Sequence, residues 1–249
     1  MILKRQVPIE GSVYLLTISD DEKALLAAAA AGGAVLGIWN EQNPIQNFGA
    51  AAYLVEDPDD VTDQLAERVI RRHLGLPWKI GETKRLVIRE FCGADAELSG
   101  KEPFDEDAAD GEEPQTSIPD HIFLNRDTLE AYIRGQYYFY EYGIWALVEK
   151  QSGIIIGRAG ITDLLLDDQE MVKEAGYQIF KPYQGNGYGL ESMTEILNYG
   201  RDELDIGRLY ARIDPSNVRS IRLAEKLGFK PVQTGSGLVQ SRLLYAVNL

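Results

Sequence analysis

The sequence predicts an α/β protein in two parts: a small parallel α/β unit over residues 1–80, then a larger α/β domain over residues 81–249. Three observations predict it. Short apolar runs alternate with helix-forming runs through the first eighty residues. The stretch Glu174–Gly200, EAGYQIFKPYQGNGYGLESMTEILNYG, passes from an alternating strand through closely spaced glycines into a helical run. That run places Leu190, Met193 and Leu197, then Leu204, on one face. Between the two parts, Gly75-Leu76-Pro77-Trp78 reads as a stiff connector, with Trp78 expected to anchor one part on the other.

In the first unit, residues 1–11 show no periodicity that assigns them. Val13–Ile18 is a short apolar strand. Ser19 stands where it could cap a helix over Asp20–Ala31, whose first turn carries Asp20, Asp21 and Glu22 and which Gly32-Gly33 stops. Ala34–Trp39 reads as a strand buried on both faces, Asn40–Asn47 as a polar loop, and Ala51–Val55 as a third strand. Val61–Leu74 is a helix ended by Gly75 and Pro77. No motif here carries identifiable chemistry. Asp20-Asp21 ends a first strand, where α/β folds place ligands, but capping a helix is the more ordinary use. His73, near a helix end, reads as a dipole partner.

In the second part, Phe104–Pro114 is acidic (Asp105, Glu106, Asp107, Asp110, Glu112, Glu113) and lacks apolar periodicity. It reads either as a solvated insertion or as a lip attracting a cationic partner. Asn125 or Asp127 caps a helix running to Tyr140. The aromatics Tyr132, Tyr137, Tyr138, Phe139, Tyr140 and Tyr142 are divided between core and a binding surface. Ile144–Glu149 and Ile154–Leu166 form an antiparallel hairpin across Lys150–Gly153, in which Gly157 and Gly160 indicate a bulge or close packing.

Composition excludes several function classes. The 249 residues contain one cysteine, Cys92, so no internal disulfide framework exists and a thiolate metal site is disfavoured. His73 and His121 are the only histidines, which excludes His-rich metal centres and most His-based triads; no metal is expected. A net charge of −14 repels polyanions, so nucleic acid is not an expected partner. No apolar run reaches membrane-spanning length, and no basic leader with a cleavage site opens the chain, so a cytoplasmic location is expected.

Strand, glycine-rich turn and helix together form the layout of a phosphate cradle. Glycines admit close backbone approach, and a helix N-terminus adds partial positive charge. A dinucleotide fold requires GxGxxG in an early βαβ unit; here the spacing is GxGxG and the loop lies late. A P-loop requires GxxxxGK[ST], and no lysine follows these glycines. Gln184, Gly187 and Gly189 instead match Q/R-x-x-G-x-G/A, which resembles the acetyl-CoA pyrophosphate loop of the GNAT superfamily of N-acetyltransferases. Downstream, Asn217-Val218-Arg219-Ser220 through Leu223, Lys226 and Gly228-Phe229 resembles the same superfamily's next helix, N-x-x-S/A-x-x-L-x-x-K-x-G-F, one helix and one strand later. Arg85–Phe91 resembles its first strand. Glu174-Ala175-Gly176-Tyr177 resembles the E-x-G-Y strand of the ribosomal-protein N-acetyltransferase branch. The resemblance covers about residues 82–249.

The resemblance implies a mixed, mostly antiparallel sheet flanked by helices, and acetyl transfer from acetyl-CoA to a primary amine, either a protein N-terminus or a small molecule. Gln184, Gly185, Asn186, Gly187, Tyr188 and Gly189 would hold the pyrophosphate. Tyr177, Gln178 and Ile179 would bind the pantetheine arm, and a backbone N–H there would serve the oxyanion. Asn217 would contact the arm or cap its helix. Many members carry a proton-donating tyrosine four residues after the S/A position, where this chain has Ala224. Ser220, one turn earlier, is then the candidate acid, with packing against the cofactor as its other role. Glu174 is the candidate base, with a structural hydrogen bond beside it. The alternative functions are a non-catalytic acyl-CoA sensor and an amine-antibiotic-modifying enzyme; the chain would act as a monomer or homodimer.

Overall fold

Glu10-Gly11 turns the chain almost at its start. Both residues take positive φ (50° and 85°), the two-residue hairpin geometry that matches strand twist. The turn pairs β1 (Ile2–Ile9) antiparallel with β2 (Ser12–Ser19) in unbroken register. Residues 1–11 thus form an edge strand that their mixed composition conceals. The computed structural model describes residues 1–39, 41, 48–96, 121–166, 169–232, 238–239 and 242–249. It falls into two compact units, Met1–Trp78 and Lys79–Leu249.

In the first unit, β2, β3 (Ala34–Ile38) and the short β4 (Leu54–Val55) run parallel, in the sheet order β1-β2-β3-β4. The helices α1 (Glu22–Ala30) and α2 (Asp63–His73) cover it. Leu25 of α1 packs with Val35 and Phe48. Ala66, Val69 and Ile70 of α2 join Leu16, Ile18, Leu36 and Ile38 in a separate cluster. The two helices, each packed in its own cluster against the sheet, account for both buried faces of β3. The cap of α1 is Asp21, whose carboxylate accepts from Lys23 N at 2.9 Å. Ser19, the other residue expected to cap, instead accepts from Asp21 N at 3.0 Å and donates to Met1 O. His73 Nε2 lies 3.0 Å from Gly32 O, and Trp78 lies under the Arg68 guanidinium at 5.2 Å.

The second unit is built on one mixed sheet. Its strands are β5 (Lys79–Glu82), β6 (Leu86–Arg89), β7 (Ile144–Glu149), β8 (Ile155–Leu165), β9 (Met171–Ile179), β10 (Arg208–Ile213), β11 (Lys230–Pro231), β12 (Leu238–Val239) and β13 (Arg242–Asn248). The order is β11-β13-β10-β9-β8-β7-β6-β5, with β12 beside β13. Every pairing is antiparallel except β9 with β10. The two strand glycines mark close approach. A Cβ on Gly160 would stand 2.0 Å from Gly143 O, and one on Gly157 2.4 Å from Gln178 O. The β7–β8 register also shifts between Leu147 and Val148, so bulge and close packing coexist.

Helices α3 (His121–Leu124) and α4 (Arg126–Tyr132), a π-helical turn (Ile133–Tyr137) and α5 (Tyr138–Tyr140) follow one another, with Asn125 capping α4. Two tyrosines of this run serve the core. Tyr132 Oη accepts from Ile144 N at 2.7 Å, and Tyr137 Oη accepts from Phe91 N and donates to Ile144 O. Phe139 is exposed. The long helices α6 (Tyr188–Asp202) and α7 (Val218–Lys226) complete the unit. The acidic stretch 104–114 lies outside the described residues, as does most of the 40–47 loop. Among the described residues no helix is long and apolar enough to cross a membrane, and no group of three His, Cys, Asp or Glu side chains could hold a metal ion.

Candidate active site

The cleft arises where the sheet opens. Along its β8 edge, β9 pairs continuously from Leu165↔Met171 to Gly157↔Ile179. Toward β10 it pairs at the single position Tyr210↔Glu174. Beyond Glu174 the two parallel strands diverge, leaving that edge of Ala175–Ile179 outside the ladder. The gap is lined by Gly176 and Tyr177 of β9, Arg212 of β10, and Ser220, Leu223 and Ala224 of α7.

At the end of β9 a 3₁₀ turn, Lys181–Tyr183, leads into the glycine loop. Gly185 and Gly187 take φ of +79° and +83°, a region L-residues with a Cβ rarely adopt. Gly187 is the N-cap of α6 and brings no side chain to it, so the first amides of a 15-residue helix lack an internal side-chain acceptor. A Cβ on Gly189 would press within 3.1 Å of both Leu223 Cδ1 and Tyr177 Cε2, so the absence of a side chain there lets the helix start pack closely against β9 and α7. Gln184 Nε2 donates to Ile179 O at 2.9 Å, tying the loop to the strand. Asn186 Nδ2 reaches Tyr183 O and Gln184 O.

Two arginines flank this loop. Arg85 Nη1 donates to Asn186 O at 3.0 Å, and its guanidinium lies 4.1 Å from the Tyr188 ring centroid. Glu191 holds Arg85 by accepting from its Nε at 2.7 Å and its backbone N at 2.8 Å, and also accepts from Thr83 Oγ1 at 2.6 Å. Burial works upward on this carboxyl, but the hydrogen bonds from Thr83 and Arg85 outweigh it and hold Glu191 below its ordinary range. Arg219 Nη1 meets Gln184 Oε1 at 3.3 Å. A glycine cradle, a helix start without a side-chain cap, and cations on both sides fit the phosphates of CoA.

The expected site residues separate into two groups. Tyr177 and Ser220 come together: their hydroxyl oxygens are 3.0 Å apart beside the cleft. Asn217 caps α7, its side chain accepting from Ser220 N at 3.0 Å. Ala224 lines the cleft one turn beyond Ser220 and offers only a methyl. By strand alternation Gln178 faces away from Tyr177. Of the two roles expected for Glu174, the geometry bears on the structural one. The residue is buried, and both of its oxygens are engaged by Arg212, with Oε1 2.9 Å from Nε and Oε2 2.9 Å from Nη2. A carboxylate committed to a buried guanidinium is poorly placed to collect an amine proton, so the geometry supports the structural role. Sequence reasoning missed the Arg85–Glu191 clasp and the Tyr177–Ser220 contact, which join residues 106 and 43 positions apart.

Comparison with known proteins agrees with this fold. The fold is shared with solved acetyltransferases. Mycobacterium smegmatis RimJ, solved in complex with CoA-disulfide, aligns with a TM-score of 0.50 at 18% identity, over 70% of this chain and 88% of that one. The ribosomal-protein-S5-alanine acetyltransferase of Vibrio fischeri aligns with a TM-score of 0.50 at 15% identity, over 70% and 96%. The acetyltransferase (GNAT) domain model matches residues 85–230, and the chain belongs to that family. Among curated proteins, the uncharacterized YkkB of Bacillus subtilis (strain 168) is 38% identical over 89 residues, 36% of this chain and 51% of YkkB. The chain spans about half the length of the first curated relatives it matches.

Proposed function

We propose that residues 81–249 form a domain that transfers an acetyl group from acetyl-CoA to a primary amine, on a protein N-terminus or a small molecule. The observation that carries this reading is the single-position contact between β9 and β10, opening directly onto the glycine-rich start of α6. Acetyl-CoA supplies the activated acyl group when bound. The amides from Gln184 to Gly189 hold its pyrophosphate, with Arg85 and Arg219 adding charge. The backbone of Tyr177–Ile179 takes the pantetheine arm as it would another strand, and an N–H on that edge stabilises the oxyanion. Asn217 sets the start of α7 and so the position of Ser220. With Glu174 held by Arg212, water accepts the amine proton. One exposed-thiol-poor chain with a single cysteine fits a reducing cytoplasm.

A second reading, a non-catalytic acyl-CoA sensor, draws on Ala224, which brings no proton donor to the cleft. Release of free CoA from acetyl-CoA separates the two, measured against peptide N-termini, polyamines and aminoglycoside-type amines. Turnover with any amine establishes a transferase and ranks its acceptors. CoA binding without turnover across the panel establishes the sensor, and absence of both removes the cofactor assignment.

A further inference from the structure

We propose that Tyr177 is a catalytic residue: its phenol and the Ser220 hydroxyl form one proton-donating pair that faces the sulfur of the acyl donor. This rests on the transferase reading above. Aminolysis of a thioester forms a C–N bond and breaks the C–S bond. The nitrogen gives up a proton, and the departing sulfur takes one to leave as a thiol. The cleft must therefore present a group that can give a proton where the thioester lies.

The lining of the cleft leaves few choices. Ala175, Gly176, Met193, Leu223 and Ala224 bring no exchangeable side-chain proton to it. Arg212 lines it too, but its guanidinium is engaged by Glu174. Tyr177 and Ser220 remain, with hydroxyls 3.0 Å apart and either one able to donate to the other. The pair is built rather than incidental. The Tyr177 ring is packed against Gly189, where any Cβ would stand 3.1 Å from its edge, and Ser220 is buried at the first turn of a helix capped by Asn217. Burial raises the phenol above its ordinary value, with the Ser220 hydrogen bond working the other way, so at neutral pH the phenol carries its proton and can give it. After the C–S bond breaks, the phenolate is reprotonated from water. The proton released by the amine balances it, so the net reaction consumes only thioester and amine.

The test compares Tyr177→Phe with the parent by two readouts. In steady state, Tyr177→Phe should lower kcat by about 10–100-fold, the low end for a lost general acid because water can substitute, with the KM for acetyl-CoA unchanged. In the binary complex with CoA, the bound thiol is titrated by its thiolate absorbance. A hydroxyl pair facing the sulfur stabilises the thiolate, so the bound thiol should titrate at higher pH in Tyr177→Phe than in the parent. An unchanged kcat, or a bound thiol that titrates alike in both proteins, overturns the proposal. If Tyr177→Phe does not fold, 3-fluorotyrosine at position 177 keeps the ring and acidifies the phenol. The alkaline limb of kcat must then move to lower pH, and an unmoved limb overturns the proposal. A parent that releases no CoA with any amine removes the transferase reading, whereas the thiol titration still decides whether Tyr177 faces the sulfur.

Discussion

Glu174 and Arg212 meet where β9 and β10 part. Glu174 Oε1 accepts from the Arg212 backbone N at 3.1 Å as well as from its Nε, and Oε2 accepts from Nη2. In a closed parallel ladder that backbone N–H would bond a strand carbonyl. Here a side chain takes its place, directly after the single paired position Tyr210↔Glu174. The carboxylate satisfies the donor that the opening of the sheet would otherwise strand.

Glu174→Gln should therefore act on stability. The glutamine keeps the shape but removes the negative charge paired with Arg212, whose side chain is 10% exposed. Breaking a buried pair by removing one partner costs about 3–5 kcal/mol, and retained hydrogen bonds favour the low end. Urea titration of parent and variant measures it. A catalytic base would show the opposite pattern: unchanged stability and a rate loss that eases as pH rises.

Gly187→Asp should leave the fold in place and weaken CoA binding by about tenfold or more. The φ of +83° costs an L-residue about 1–2 kcal/mol. The new Cβ would stand 3.7 Å from Arg85 Nη2, so the carboxylate would compete with phosphate for that cation. Calorimetry with CoA checks it, and undiminished binding by the folded variant removes the loop assignment.

Glu191→Gln tests the clasp on Arg85. Because the folded carboxyl sits below its ordinary value, it contributes stability that is present above the unfolded value of about 4.3 and is lost as pH falls through the lower folded value. The parent should thus exceed the variant in stability at neutral pH, and the gap should close as pH falls below the ordinary carboxylate range. The variant should also bind CoA severalfold more weakly, since Arg85 loses the group that aims it at the loop.

A fragment of residues 79–249 should bind CoA as the full chain does, because the loop, the cleft and both flanking arginines lie within that unit. Calorimetry on the folded fragment checks this. Loss of binding would show that residues 1–78 complete the site.

Local chemistry was legible wherever the responsible residues are close in sequence. The glycine loop announces itself because positive φ excludes most residues, and Gly185 and Gly187 are where the backbone adopts it. The alternation of β9 and the helical spacing of α6 are likewise set within a few residues. The β1 strand escaped because its turn is Glu10-Gly11 rather than the usual Asn-Gly or Asp-Gly, and because Lys4, Arg5 and Pro8 break up its apolar pattern. Of the capping residues the sequence offered, Ser19 and Asp20-Asp21, the backbone selects Asp21, because the first helical residue is Glu22. The partners of Glu174 and Tyr177 were beyond any reading of sequence. An acid and a phenol take their chemistry from what stands opposite them. Those neighbours, Arg212 and Ser220, lie 38 and 43 positions away and arrive only when β10 and α7 pack beside β9.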